Sequence, residues 1–127
     1  MTRWADILIV FAGSMGVAGV GLAALGAHGG GDPRLTTAAM FLLLHASALV
    51  GMRTMLGPDA ATRVVVLASA TTLCFGTILF SADLALRSLA GMAIFAFAAP
   101  VGGLLMMAGW ALLAAAAMFA TACRPAS

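Results

Sequence analysis

Four long apolar runs, separated by short breaks rich in glycine, proline and charge, constrain this chain more than any other feature. A helix that crosses a bilayer needs about 20 mostly apolar residues. Four stretches meet that need: Trp4 to about Ala27 ("WADILIVFAGSMGVAGVGLAALGA"), about Leu35 to Leu56 ("LTTAAMFLLLHASALVGMRTML"), Val64 to at least Ser81 ("VVVLASATTLCFGTILFS") and about Pro100 to Ala122 ("PVGGLLMMAGWALLAAAAMFATA"). Of the 127 residues, 64% are hydrophobic and 8% charged. Soluble domains carry roughly 25% charged residues. A water-soluble fold of this length could not cover so much apolar surface, so the helices must meet lipid.

The breaks set the boundaries. "HGGGDPR" separates the first two runs, with Asp32-Pro33 as a turn signal, and "GPDAATR" separates the second and third. Pro100 suits the first turn of the fourth helix. Residues 84 to 99, "LALRSLAGMAIFAFAA", are too apolar for an ordinary loop. Helix three is expected to run to Leu89 or Ala90 and stop at Gly91. "MAIFAFAA" would then lie along the membrane interface or against a partner, because the residues between Gly91 and Pro100 are too few to cross about 30 Å as a helix. The expected domain is therefore a single four-span unit over residues 1–127, with helices at about 4–27, 35–56, 64–90 and 100–122. The first run is longer than a signal-peptide core and has Asp6 close behind Arg3, so it is read as a retained span.

The net charge of +2 comes from six arginines and four aspartates, with neither lysine nor glutamate. Scattered in this way the arginines make no basic patch, which excludes a nucleic-acid surface. They read as membrane-flanking residues. Arg3, Arg53, Arg63 and Arg124 fall on one side and Arg34 and Arg87 on the other. That bias makes the first side cytoplasmic, with both termini inside. Cys74 and Cys123 have no spacing that suggests a disulfide framework or a thiolate metal site, and are expected to be reduced.

In lipid there is no hydrophobic force between helices, so close backbone approach has to hold them together. Helix one carries Ala12, Gly16, Gly19, Ala23 and Gly26 along one stripe; helix three has Ser69, Thr72, Gly76 and Asp83; helix four has Gly102, Gly109 and Ala116. These, with Gly103, are the expected packing positions. Trp4 is placed as an interfacial anchor. Trp110 is near the middle of helix four, so it is expected to pack in the bundle and to need a partner for its indole N–H.

Ionisable groups inside a membrane are expensive and are the natural functional suspects. Four stand out: His28 at the end of helix one, His45 roughly 15 Å along helix two, and Asp83 with Arg87 four apart on one face of helix three. Asp83 and Arg87 can pair; His28 is expected to face them at the outer rim; His45 is expected to bond a hydroxyl on helix three, such as that of Thr72. The plain reading is that these groups tie helices together. Two sharper ones are a proton or ion relay through His28, His45 and Asp83, and haem or metal ligation by the histidines. No arrangement of nucleophile, base and oxyanion donors is visible, and "GGG" after His28 lacks the lysine of a phosphate loop.

Several stretches, "LGAHGGG", "LLLHASAL", "FGTILFSADLALRSLAG" and "APVGGLLMMAGW", in that order, resemble the landmarks of the domain of unknown function 423 family. These are small bacterial inner-membrane proteins related to eukaryotic transmembrane protein 256. The resemblance spans about Gly13 to Leu113. It implies that Gly26, Ala27, His28 and Gly29 after helix one, His45 in helix two, and Phe80, Ser81, Asp83 and Leu84 at the end of helix three are family landmarks. In helix four it marks Pro100, Gly102, Gly103, Gly109 and Trp110. The chain departs from the pattern at Met40, where an aromatic is common, at Ala82, where glycine is common, and at Ala99, where threonine is usual. The resemblance implies membrane location and fold, and no activity.

The sequence therefore predicts an all-α membrane protein with four transmembrane helices in a compact bundle and an apolar segment between helices three and four. The expected role is non-enzymatic: a small scaffold or accessory subunit in the bacterial inner membrane, with no cofactor or bound metal. Its expected partners are the lipid bilayer and a membrane protein or a second copy of itself. The alternative role is a small proton-coupled carrier using His45 and Asp83.

Overall fold

The computed structural model describes residues 2–122. Four helices make up almost all of it: α1 (Thr2–His28), α2 (Pro33–Met52), α3 (Ala60–Leu89) and α4 (Ala98–Ala122), with one 3-10 turn at Arg53–Met55. All four are long and apolar enough to cross a membrane. The chain is an all-α compact bundle. Cys123 and Arg124, assigned above to the cytoplasmic end, lie outside the described residues.

The helices start where aspartates can cap them. Asp32 accepts the Arg34 N–H at 2.9 Å, and Pro33, which has no N–H to satisfy, opens α2. Asp59 accepts the Thr62 N–H at 2.7 Å, so α3 begins at Ala60, several residues before the apolar run itself. At its far end α3 stops after Leu89, and Gly91 turns the chain with φ +65°, a conformation that favours glycine. Between Gly91 and Phe97 the chain has no regular helix, and Met92, Ile94, Phe95 and Phe97 are all exposed.

Short connections make successive helices antiparallel. Packing follows chain order, α1 on α2, α2 on α3, α3 on α4, with a lighter contact of α1 on α3. The core includes Leu42, Leu49, Val66, Leu73, Cys74 and Met106. Cys74 is buried, and among the described residues it has no disulfide partner. The closest approach is between α3 and α4. A Cβ on Gly76 would lie 2.8 Å from the Gly102 carbonyl oxygen, and one on Gly102 would lie 2.7 Å from the Phe80 nitrogen. Two turns further on, the Ser69 hydroxyl donates to the Gly109 carbonyl at 2.6 Å, and a Cβ on Gly109 would meet the Leu73 side chain at 2.6 Å. These backbones touch because neither helix carries a side chain there.

On α1, Gly19 plays the same part against α2: a Cβ would stand 2.8 Å from Leu43 Cγ. Gly26 makes ordinary contact with Leu35 and Thr36. Gly16 and Gly103 do not belong with them, because a Cβ at either would meet nothing within 4 Å. On α1 the buried stripe runs through Met15 instead, one residue away, because the inward face follows Ala12, Met15 and Gly19.

Two polar ties add to this packing. The Trp4 indole N–H donates to Thr71 Oγ1 at 2.9 Å, joining α1 to α3. Arg53 and Asp6 pair at 3.2 Å at the same end of the bundle, both largely exposed. An exposed pair of this kind contributes little.

Candidate functional site

His45 sits in the fourth turn of α2 and is buried, with 6% of its surface accessible. Its ring is held at both nitrogens. Nδ1 lies 2.9 Å from the Phe41 carbonyl oxygen one turn back, and Nε2 accepts the Trp110 indole N–H from α4 at 3.3 Å. An indole nitrogen can only donate, so Nε2 presents its lone pair and Nδ1 carries the proton. The network thus assigns a neutral imidazole in one tautomer. The Phe41 ring stacks on the imidazole at 5.7 Å, and Phe80 of α3 meets Phe41 at 4.9 Å. Around this group Phe41, His45, Phe80, Gly103, Met106 and Trp110 line a groove of about 610 Å³.

Two expectations change here. His45 does not bond Thr72, whose hydroxyl instead donates to the Ala68 carbonyl of its own helix at 2.8 Å, as mid-helix threonines commonly do. Trp110 does find a polar partner, but it is not packed inside the bundle: 46% of it is exposed, and it lies across the outside of α4 with its N–H turned in. Trp110→Phe, which removes the N–H and keeps a ring, is expected to lower the unfolding free energy in detergent by about 1 kcal/mol. Thr72→Val is expected to change it by less than about 0.5 kcal/mol. Equal effects would mean the His45–Trp110 bond contributes nothing.

Asp83 forms the second polar centre. It is fully buried. Oδ2 accepts the Arg87 Nε–H at 2.7 Å, and Oδ1 accepts the Ile94 backbone N–H at 2.9 Å. The first bond is the expected pair one turn apart. The second joins α3 to the apolar segment that leads to α4. Antiparallel α2 and α3 set Phe41 beside Phe80, so His45 lies roughly 10 Å below Asp83 along the axis, by the 1.5 Å rise per residue.

His28 joins neither centre. It is exposed, and its Nδ1 lies 2.8 Å from the Ala24 carbonyl oxygen. The ring reaches back one turn to a carbonyl of its own helix, and that local bond takes the place of the expected contact with Asp83 and Arg87. The tie at this rim comes instead from Asp32, which caps α2 with one oxygen and accepts the Ser88 hydroxyl of α3 with the other. The Ser88 hydroxyl, with the Arg34 N–H, holds the Asp32 carboxyl below its ordinary 3.8, so it is charged at neutral pH, as an N-cap should be.

Phe41, Ile94 and Ser88 are not singled out in the sequence; Phe80 enters there only as a landmark of the family resemblance, and Asp32 only as a turn signal. Phe41 stands four before His45, which is the helical spacing of a contact, and Asp32-Pro33 is a cap signal. Nothing local announces Phe80, Ser88 or Ile94. Among the described residues no three histidine, cysteine, aspartate or glutamate side chains are grouped to hold a metal ion.

A family model described as "Protein of unknown function (DUF423)" matches residues 22–103. That stretch contains His28, His45, Asp83 and Arg87, and stops before Trp110. No curated protein and no solved structure matches the chain.

Proposed function

Because this chain belongs to the DUF423 family, whose function is unknown, its role has to be argued from its own geometry, and we propose that it is a non-enzymatic accessory subunit or scaffold of a larger membrane assembly. We place it in the bacterial inner membrane with both termini in the cytoplasm, following the arginine bias. The observation that carries this reading is the hydrogen bond that the Ile94 backbone N–H donates to Asp83. It spends a buried carboxylate on shaping a loop. The loop then displays Met92, Ile94, Phe95 and Phe97 at the surface and is pinned to α3 at Ile94. A preshaped apolar surface loses less entropy on docking than a floppy one.

The polar groups support the same reading. A relay needs groups within hydrogen-bond reach of one another. Here His28 is bonded to its own helix, His45 has both nitrogens engaged, and Asp83 has both oxygens engaged at a different height.

The test is a photo-crosslinking residue placed at Phe97, with one at Val17 on the outer face of α1 as control, in cells, followed by gentle-detergent purification, mass spectrometry and an absorption spectrum. One protein in near-stoichiometric adduct with position 97, and lipid alone with position 17, is expected. The reading fails if position 97 captures only lipid. It also fails if purified protein in vesicles carries a proton flux that His45→Ala removes.

A further inference from the structure

Beyond that role, we propose that the groove between α2, α3 and α4 is a binding site for a membrane-dissolved molecule with a ring hydroxyl, of the phenol or hydroquinone class, carrying an apolar tail. The groove's volume of about 610 Å³ falls within the range of small-molecule sites, which are mostly apolar with a few placed polar groups. Its polar side-chain groups are the His45 imidazole and the Trp110 indole; the rest of the lining is apolar.

The chemistry of that pair selects the ligand. Trp110 offers only a donor and His45 Nε2 only a lone pair. They meet at 3.3 Å, beyond the usual optimum of about 2.9–3.0 Å. Trp110 is half exposed, so its indole can swing outward without emptying the core. A hydroxyl inserted between them accepts from the indole N–H and donates to Nε2, which leaves both satisfied. A lipid ester or a ketone only accepts, and would leave Nε2 bare. An ammonium only donates, and would leave the indole bare. One atom that does both is a hydroxyl oxygen.

The walls select a ring to carry it. Phe41 lies nearly parallel to the imidazole, 13° between planes, and Phe80 meets Phe41 at 4.9 Å. Flat aromatic faces favour a flat partner. Met106 adds an adaptable thioether wall. At Gly103 the wall is cut back to the backbone, since a Cβ there would meet nothing within 4 Å. The same glycine that contributes nothing to helix packing is the one that leaves room in the groove.

The test uses full-length protein in lipid nanodiscs with Trp4→Phe, so that Trp110 is the single tryptophan, and follows its fluorescence during titration with 4-nonylphenol or with nonylbenzene, which lacks the hydroxyl. Saturable binding of nonylphenol is expected, about tenfold tighter than nonylbenzene, the worth of one buried hydrogen bond. Gly103→Leu is expected to abolish it while the protein stays folded. His45→Phe, which keeps a stacked ring and removes the acceptor, is expected to make the two probes equal, and His45→Gln to restore the preference. The proposal is overturned if the two probes bind alike in the unaltered groove, or if Gly103→Leu leaves binding unchanged. The Gly103→Leu result decides on its own should His45→Phe fail to fold.

Discussion

Gly102→Ala is expected to destabilise the bundle by about 3 kcal/mol, while Gly103→Ala, the same change one residue later, is expected to be neutral or stabilising by up to about 1 kcal/mol. The asymmetry follows from what a methyl group would meet. At Gly102 the new Cβ lands 2.7 Å from the Phe80 nitrogen and 2.8 Å from the Gly76 carbonyl oxygen. Both are backbone atoms of α3, so no rotamer change can relieve the clash. The helices must separate, and the Gly76–Gly102 contact, with the Ser69 bond to the Gly109 carbonyl beside it, opens with them. At Gly103 the Cβ enters empty space and brings only the better helix propensity of alanine. Gly76→Ala is expected to behave like Gly102→Ala, since its Cβ would stand 2.8 Å from the Gly102 oxygen. Chemical unfolding in one detergent, with all three variants in parallel, measures this. Similar losses at Gly102 and Gly103 would mean that α3 and α4 are not in backbone contact.

The contrast between these neighbours marks how far the sequence could be read. Run lengths and hydropathy were enough to locate four spanning helices and the apolar segment between the last two, because lipid solvent demands about 20 apolar residues per crossing. The seven-residue spacing of Gly102 and Gly109 put them on one face, and that face is the seam. Gly16 and Gly103 were misplaced for a different reason. A small residue beside a packing stripe differs from one in it by a rotation of about 100° per residue, and composition does not say which face looks inward. The capping aspartates moved helix starts by a few residues, a local effect that the Asp-Pro signal announced at Asp32 and that nothing comparable announced at Asp59.

The polar site was legible in part, and the failures have a common cause. Asp83 and Arg87 are one turn apart, so their pairing is a local fact. The partners of His45 and His28 depended on which helices touch and at what height. His28 satisfied itself within its own last turn, and Thr72 did the same within α3. In a nonpolar solvent an intrahelical bond needs no assembly, so it outcompetes an interhelical bond unless packing brings a better partner. Trp110 is such a partner for His45: packing of α4 on the bundle brings its indole N–H to Nε2.

Asp83→Ala is expected to cost about 2–3 kcal/mol, because a buried carboxylate gives up two hydrogen bonds at once while Arg87, whose side chain is 35% exposed, is only partly stranded. Arg87 loses its counter-charge, and the Ile94 N–H loses its acceptor at once. Asp83→Ala with Arg87→Leu is expected to recover part of the loss, since the stranded guanidinium is gone, but not all of it, since Ile94 stays unpaired. Unfolding in detergent gives the energies. Limited proteolysis gives a second readout: with Asp83 replaced, residues 91–97 should be cut many times faster, and Arg87→Leu should not restore protection. That pattern separates the two duties of the carboxylate, charge pairing within α3 and shaping of the loop. A proton-carrying aspartate would behave differently, with Asp83→Ala losing flux in vesicles while the loop stayed resistant and the fold kept its stability.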